Sequence, residues 1–230
     1  MRIIAGEFGG QRLRSLPGAQ TRPTADRVRE AWASSVGSLR GGGFSDARVL
    51  DAFAGSGALG LEALSRGADS IVFIERSKEA CRVIAANISS LILDEAGAER
   101  VKLIQADALM PGTIDQLVKG APFDLVFLDP PYAMKMNRIS ELLQRLADSG
   151  LLAPDCLICY ECAQSPSQSS AAANSAATKH GKSNRGDGGA ERDSKDPSIV
   201  VNGLNMISCK RYGTTNLEYY RLRSPHDLQE

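Results

Sequence analysis

The chain is expected to fold as an α/β protein around a mainly parallel sheet, and three observations carry that expectation. Apolar, strand-like runs alternate with helix-like stretches between residues 49 and 162, the pattern of successive βαβ units. A glycine-rich segment, Gly55-Ser-Gly57-Ala-Leu-Gly60, joins the first such run to the first helical stretch. A later run, Phe123–Leu128, closes on Asp129-Pro130-Pro131-Tyr132. That places a carboxylate, two prolines and an aromatic ring at the carboxyl edge of a sheet, where open α/β sheets bind their ligands.

The elements follow in order. Residues 2–16 read as two short strands around a Gly9-Gly10 turn, a small arginine-bearing hairpin. Thr24 is placed to cap a helix that runs to about Leu39, and Gly41-Gly42-Gly43 breaks it. Strands are expected at residues 49–54, 70–75, 101–106, 123–128 and 156–162, with helices at 58–66, 78–93 and 137–149 and a weak one near 113–119. Residues 205–211 and 217–223 flank a Gly-Thr-Thr turn and read as a closing antiparallel hairpin, which makes seven strands. Between them, residues 163–198 are rich in Ser, Ala, Asn, Gly, Lys and Asp and contain no aromatic residue. Such a composition buries too little apolar surface to offset its ordering entropy, so a disordered insertion is expected. The organisation is then an extension over residues 1–40, a main domain over 41–223 and a tail over 224–230.

With 230 residues, 43% of them hydrophobic, the chain can build one such domain with a substantial core. No stretch approaches the roughly 18 uninterrupted apolar residues of a membrane span. Residues 1–7 lack the apolar core of a secretion signal, so a cytoplasmic protein with no membrane partner is expected. Five cysteines do not make a disulfide framework. Cys156, Cys159 and Cys162 have ligand-like spacing, but alternation along a strand turns Cys159 to the opposite face from the other two, so no metal site is expected.

Formal net charge is zero, yet it is unevenly spread. Residues 1–40 hold seven arginines against three acids, residues 41–162 hold 11 basic and 17 acidic side chains, and residues 199–223 hold four basic groups against one acid. Basic ends around an acidic middle suit a protein that grips a polyanion with its ends. Arg2, Arg12, Arg14, Arg22, Arg27 and Arg29 would supply the phosphate contacts, with Lys210 and Arg211 as helpers. Arg22 and Thr24 would sit near the mouth of the site. Trp32 is expected to be core rather than a stacking platform.

The chemistry gathers at the strand ends. Asp51-Ala-Phe-Ala-Gly55-Ser-Gly57 follows a strand and opens a helix, and Gly60 completes a G-x-G-x-x-G spacing. The acid that precedes these glycines would repel a pyrophosphate and pair with an amine, so a nucleoside cofactor bearing an amino acid fits better than NAD. Glu75 ends the second strand, where a carboxylate can accept from two ribose hydroxyls. Asp107, with the Ala108 backbone beside it, follows the third strand and can accept from an adenine amino group. At the fourth strand, the prolines lack backbone donors, so their carbonyls are expected to be free acceptors. Tyr132 offers a flat face to a planar base whose amine donates to Asp129 and a proline carbonyl.

These motifs resemble those of class I methyltransferases. Arg2-Ile-Ile-Ala-Gly6, Arg22-Pro-Thr-Ala-Asp-Arg-Val-Arg-Glu30 and Gly57-Ala-Leu-Gly-Leu-Glu-Ala-Leu-Ser-Arg66 further resemble the bacterial 16S ribosomal RNA guanine-N2 methyltransferases. The resemblance covers about residues 1–162 and resumes near 204–223. It implies a Rossmann-like, mostly parallel seven-stranded sheet with helices on both faces and a C-terminal antiparallel hairpin. It also implies S-adenosylmethionine as methyl donor, held by Asp51, Phe53, Ala54, Gly55, Gly57, Glu75, Arg76, Asp107 and Ala108. The acceptor would be a guanine N2 amine in 16S ribosomal RNA or the assembling small subunit, held by Asp129, Pro130, Pro131 and Tyr132, and the protein would be a monomer. Other readings share these residues. An adenine-N6 methyltransferase needs the same two acceptors for its amine, but residues 1–40 are too short to form a DNA target-recognition domain. An NAD-dependent oxidoreductase would rest on the three glycines alone. A non-catalytic RNA-binding protein would have no need of the four strand-end acids.

Overall fold

Seven strands pair into one sheet in the computed structural model: β1 (Arg48–Asp51), β2 (Ser70–Glu75), β3 (Val101–Gln105), β4 (Phe123–Leu128), β5 (Leu152–Ala163), β6 (Leu204–Tyr212) and β7 (Thr215–Leu222). The structure describes residues 1–16, 23–92, 94–163 and 199–223, with backbone alone for residues 23–26. Arg22, the side chain of Thr24, residues 164–198 of the expected insertion and the 224–230 tail lie outside the described residues. The strand order is β3-β2-β1-β4-β5-β7-β6. Strands β1 to β5 run parallel, and β7 is antiparallel to both β5 and β6. The order reverses between β1 and β4, so the carboxyl ends of those two strands flank the crevice where such sheets take ligands.

Alternation along the buried strands feeds two cores, one on each face. Leu125 and Phe127 of β4 join the first, and Val126 and Leu128 join the second. The same parity sends Cys159 to the first core and Cys156 to the second, as the strand reading required. Helices α1 (Pro23–Leu39), α2 (Ala58–Ser65) and α3 (Lys78–Leu91) cover the first face with Trp32, Leu61, Leu64 and Ile84. Trp32 is core, its ring 5.0 Å from that of Phe127. The second face is covered by α6 (Met136–Asp148), whose Ile139, Leu142, Leu143 and Leu146 are all buried at the 3.6-residue repeat. Each such side chain contributes roughly 1.5–3 kcal/mol relative to exposure.

The amino-terminal segment is welded to α2. Glu62, buried within that helix, accepts from the backbone N–H of Ile4 at 2.7 Å and of Ala5 at 3.1 Å, and pairs with Arg66 at 2.7 Å. Ser65 accepts from Phe8 N–H and donates to the Ala5 carbonyl. Gly6 passes so close that a Cβ there would stand 1.9 Å from the Ser65 carbonyl oxygen. Ile3, Phe8 and Leu13 then complete the first core. Two motifs far apart in sequence are thus the two halves of one joint.

Several boundaries differ from expectation for local reasons. The expected hairpin over residues 2–16 forms only in part. A bridge between Arg2 and Arg12 and backbone bonds from Ile3 to Gln11, Gly10 to Ile3 and Leu13 to Met1 join its arms, while Glu62 and Ser65 take the N–H groups of Ile4, Ala5 and Phe8. Helix α1 starts at Pro23, so Thr24 lies within its first turn rather than at its cap. Strand β5 begins at Leu152 because pairing with β4 resumes across an irregularity, where Pro154 and Asp155 (φ 60) mask the strand signal. The first strand stops at Asp51, and Ala52 to Ala54 turn toward the glycines. Short helices α4 (Glu95–Glu99) and α5 (Pro111–Ile114) and a 3₁₀ turn at Val118–Gly120 occupy loops, the last two where one weak helix was expected.

Candidate active site

One cavity of about 420 Å³ opens at the switch point, and the ends of all five parallel strands contribute to its wall. Phe53 and Gly55 come from the β1 loop, Glu75 and Arg76 from β2, Asp107 and Ala108 from β3, Asp129-Pro130-Pro131-Tyr132 and Met134 from β4, and Glu161 from β5.

Backbone donors hold the first half of this wall in place. Glu75 accepts from Gly55 N–H at 2.9 Å with one oxygen and from Ser77 N–H at 2.7 Å with the other, which ties the glycine turn to the end of β2. Gly55 has φ of 54° beside open space, a conformation that keeps side-chain bulk out of the cavity. Asp107 accepts from Leu109 N–H at 2.9 Å, and its own carbonyl receives the Thr113 hydroxyl.

The second half is differently made. Asp129 sits in a deep surround of protein yet opens onto the cavity, and burial first, then the charges of Glu161 and Asp51, push its carboxyl well above the usual range. Glu161 is also raised by burial, against a hydrogen bond from Tyr132. The Tyr132 hydroxyl lies 3.3 Å from both Glu161 Oε1 and Thr215 Oγ1, while the residue as a whole stays 63% exposed. The Pro131 carbonyl accepts from Met134 N–H at 2.8 Å, so it is not the free acceptor expected of both prolines. Among the described residues nothing donates to the Pro130 carbonyl.

Some expected residues stand elsewhere. Asp51 does not reach the wall: it is 1% exposed, and one oxygen accepts from Gly60 N–H at 3.2 Å. Its other oxygen is buried and meets no well-formed hydrogen bond among the described residues, although the Phe53 N–H also acts on the carboxyl. Burial, reinforced by Glu75, pushes its pKa up to about 7, against the Gly60 bond. Ala54 and Gly57 lie behind the wall, Gly57 as the left-handed cap of α2. Arg2, Arg12, Arg14 and Arg27 are exposed. Arg29 is not offered to a phosphate: it is 6% exposed and donates to the Arg2 carbonyl at 2.9 Å, as part of the joint. Lys210 is engaged with Ser35 at 2.9 Å. Glu161 escaped the sequence reading, although it follows the same rule as the others, an acid at the carboxyl end of a parallel strand.

Four carboxylates and one guanidinium therefore line the cavity, and a fifth carboxyl lies buried behind it. With four acids to one cation, this lining is short of positive charge, which suits a ligand carrying ammonium and sulfonium groups and opposes a pyrophosphate. The sheet also departs from the dinucleotide-binding order 3-2-1-4-5-6, because β7 is inserted antiparallel between β5 and β6. That topology, with this acidic crevice, defines a class I methyltransferase. The family model described as conserved hypothetical protein 95 matches residues 1–187, and the chain belongs to that family. It is 37% identical over 164 residues to the ribosomal RNA small subunit methyltransferase D of Escherichia coli, covering 70% of this chain and 74% of that one. The protein of the same name from Haemophilus influenzae is 34% identical over 164 residues, covering 70% and 78%. Among solved structures, the Escherichia coli protein yhhF superposes with a TM-score of 0.70 at 28% identity, over 97% of this chain and 98% of that one.

Proposed function

We propose that this protein transfers a methyl group from S-adenosylmethionine to the exocyclic N2 amine of a guanine in 16S ribosomal RNA. One observation carries the reading: the backbone-held acids of β2 and β3 and the Asp129-Pro130-Pro131-Tyr132 turn of β4 face a single cavity. The relatives named for methylation of small-subunit ribosomal RNA support the substrate.

The cofactor, when bound, supplies an electrophilic methyl on a sulfonium. Glu75 would accept from its ribose hydroxyls and Asp107 from its adenine amine, with Ala108 and Phe53 packing the base. Asp51, buried behind the wall, would favour an ammonium on the cavity side through its charge and through the glycine turn it holds by Gly60 N–H, not by direct contact. A guanine amine is a weak nucleophile because its lone pair is delocalised into the ring. Asp129 and the Pro130 carbonyl would each accept one of its N–H groups, which favours a tetrahedral nitrogen and aims the lone pair at the methyl. As the amine takes the methyl, the proton shed by nitrogen would pass through Asp129 to water. Catalysis is then mainly positioning and electrostatics. Tyr132 would stack on a base extruded at a cost of a few kcal/mol.

Exposed Arg2, Arg12, Arg14 and Arg27 would contact RNA phosphates. The segment that carries the first three is close to the cofactor side: Asn87 binds both backbone groups of Arg14 and the carbonyl of Ser56 in the glycine turn. The protein would act as a cytoplasmic monomer on the RNA or the assembling subunit; no described helix is long and apolar enough to cross a membrane. Mapping methylated nucleotides in 16S RNA from cells with and without the gene tests the proposal. One N2-methylguanine should vanish with the gene; an unchanged map overturns it. Stabilisation by NADH rather than S-adenosylmethionine in a melting titration would overturn it equally.

A further inference from the structure

Glu161 is the one acid of the cavity with no role in that mechanism. The register pairs Leu128 with Tyr160, so Asp129 and Glu161 are neighbouring positions at the carboxyl edge of β4 and β5. Because β4 separates β5 from β1, Glu161 lies beyond Asp129 on the side away from the glycine turn. A second hollow, of about 160 Å³, adjoins the main cavity there. The two share Pro130, Pro131, Tyr132, Met134 and Glu161, so the aromatic ring expected to stack on the acceptor base and this carboxylate line the same space. Only one oxygen of Glu161 is engaged, by the Tyr132 hydroxyl, and the other has no partner among the described residues. Thr215 also holds that hydroxyl, so the placement of the ring does not rest on Glu161 alone.

The edge of guanine offers N1–H beside its N2 amine, two donor groups in a row. Adenine offers a bare N1 lone pair beside its amine. With Asp129 occupied by the amine, a carboxylate at the next position meets N1–H in guanine and a repelling lone pair in adenine. Resting on the guanine reading above, we infer that Glu161 is a specificity-determining residue that accepts the N1–H of the acceptor base. Burial raises both carboxyls, and the charge of Glu161 adds to the rise at Asp129; that cost is relieved when each receives a donor from the same base.

2-Aminopurine separates the roles, since it keeps the N2 amine but has a lone pair in place of N1–H. Small-subunit particles would be reconstituted with ligated 16S RNA carrying guanine or 2-aminopurine at the mapped nucleotide. Wild-type protein and Glu161→Gln would then be compared by kcat/KM on each. Wild type should favour guanine by about 10- to 100-fold, the discrimination typical of one paired base contact. In Glu161→Gln the amide can donate to the bare N1, so the guanine to 2-aminopurine ratio should fall at least ~10-fold, with affinity for S-adenosylmethionine unchanged within about twofold. The ratio between variants cancels any intrinsic difference between the two amines. An equal loss on both substrates would show that Glu161 merely positions Tyr132 and overturns the inference, as would an unaltered guanine rate. Equal wild-type rates on the two bases overturn it without any variant. Failure of wild type to methylate the guanine particle instead sinks the guanine reading itself.

Discussion

The two halves of the cavity are built from the same material, carboxylates at the ends of parallel strands, yet they are finished differently. Around β2 and β3 the protein spends its own backbone N–H groups on Glu75 and Asp107. Around β4 and β5 it withholds them: Asp129 accepts from no described residue, Glu161 accepts only from a long tyrosine contact, and both carboxyls are raised. The first half is preorganised and has its geometry before any ligand arrives. The second keeps lone pairs in reserve for groups that only the substrate brings. A methyl transfer needs both, because a donor must be held still while a poor nucleophile is reshaped. The proline pair enforces the asymmetry, since no backbone donor exists at residues 130 and 131.

The sharpest way to break this comparison is Asp129→Ala. Single-turnover methylation should fall by about 10²–10³-fold, the scale for losing one transition-state contact. Calorimetry should find affinity for S-adenosylmethionine within a few-fold of wild type; lost binding would mean that the halves are not separate. The mirror change, Glu75→Ala, should weaken cofactor binding by roughly 10- to 100-fold, the loss of charged hydrogen bonds worth about 1.5–3 kcal/mol, with a smaller effect on the methylation rate at saturating cofactor. Acidity tests the raised carboxyls. Protonated Asp129 has surrendered an acceptor, so kcat/KM should climb as pH rises above the ordinary carboxyl value of about 3.9 and level off only beyond its raised pKa. Asp129→Asn should flatten that rise, and a flat wild-type profile would argue that the carboxyl is not raised. The smallest effect belongs to the basic segment. Replacing Arg12 with Ala should lower the slope of log affinity against log salt by ~0.7 for single-stranded RNA, with kcat unchanged. A salt-insensitive wild-type affinity would count against phosphate contacts altogether.

Much of this was legible in the chain because it is written in local contrast. Phe123–Leu128 followed by Asp129-Pro130-Pro131-Tyr132 carries its own boundary, since an apolar run cannot continue as a strand through two prolines. Glu75 and Asp107 were legible for the same reason, as acids that end apolar runs. Glu161 was not, because it lies inside the run Cys156–Cys162, where the cysteine spacing stands out first. Arg29 misled because nothing in its neighbourhood distinguishes a buried arginine from exposed Arg27; its partner, the Arg2 carbonyl, is 27 residues away.

By itself the chain determined the alternation of strands and helices, the glycine turn and the placing of acids at strand ends, since each depends on neighbours within a few residues. Tertiary structure alone decided that Asp51 withdraws behind the wall, that Glu62 and Ser65 clasp residues 4–8, and that Glu161 arrives beside Asp129. Those outcomes depend on packing, strand order and register, which bring together groups some 30 to 80 residues apart. No local pattern specifies which of several exposed-looking side chains the folded sheet will bury.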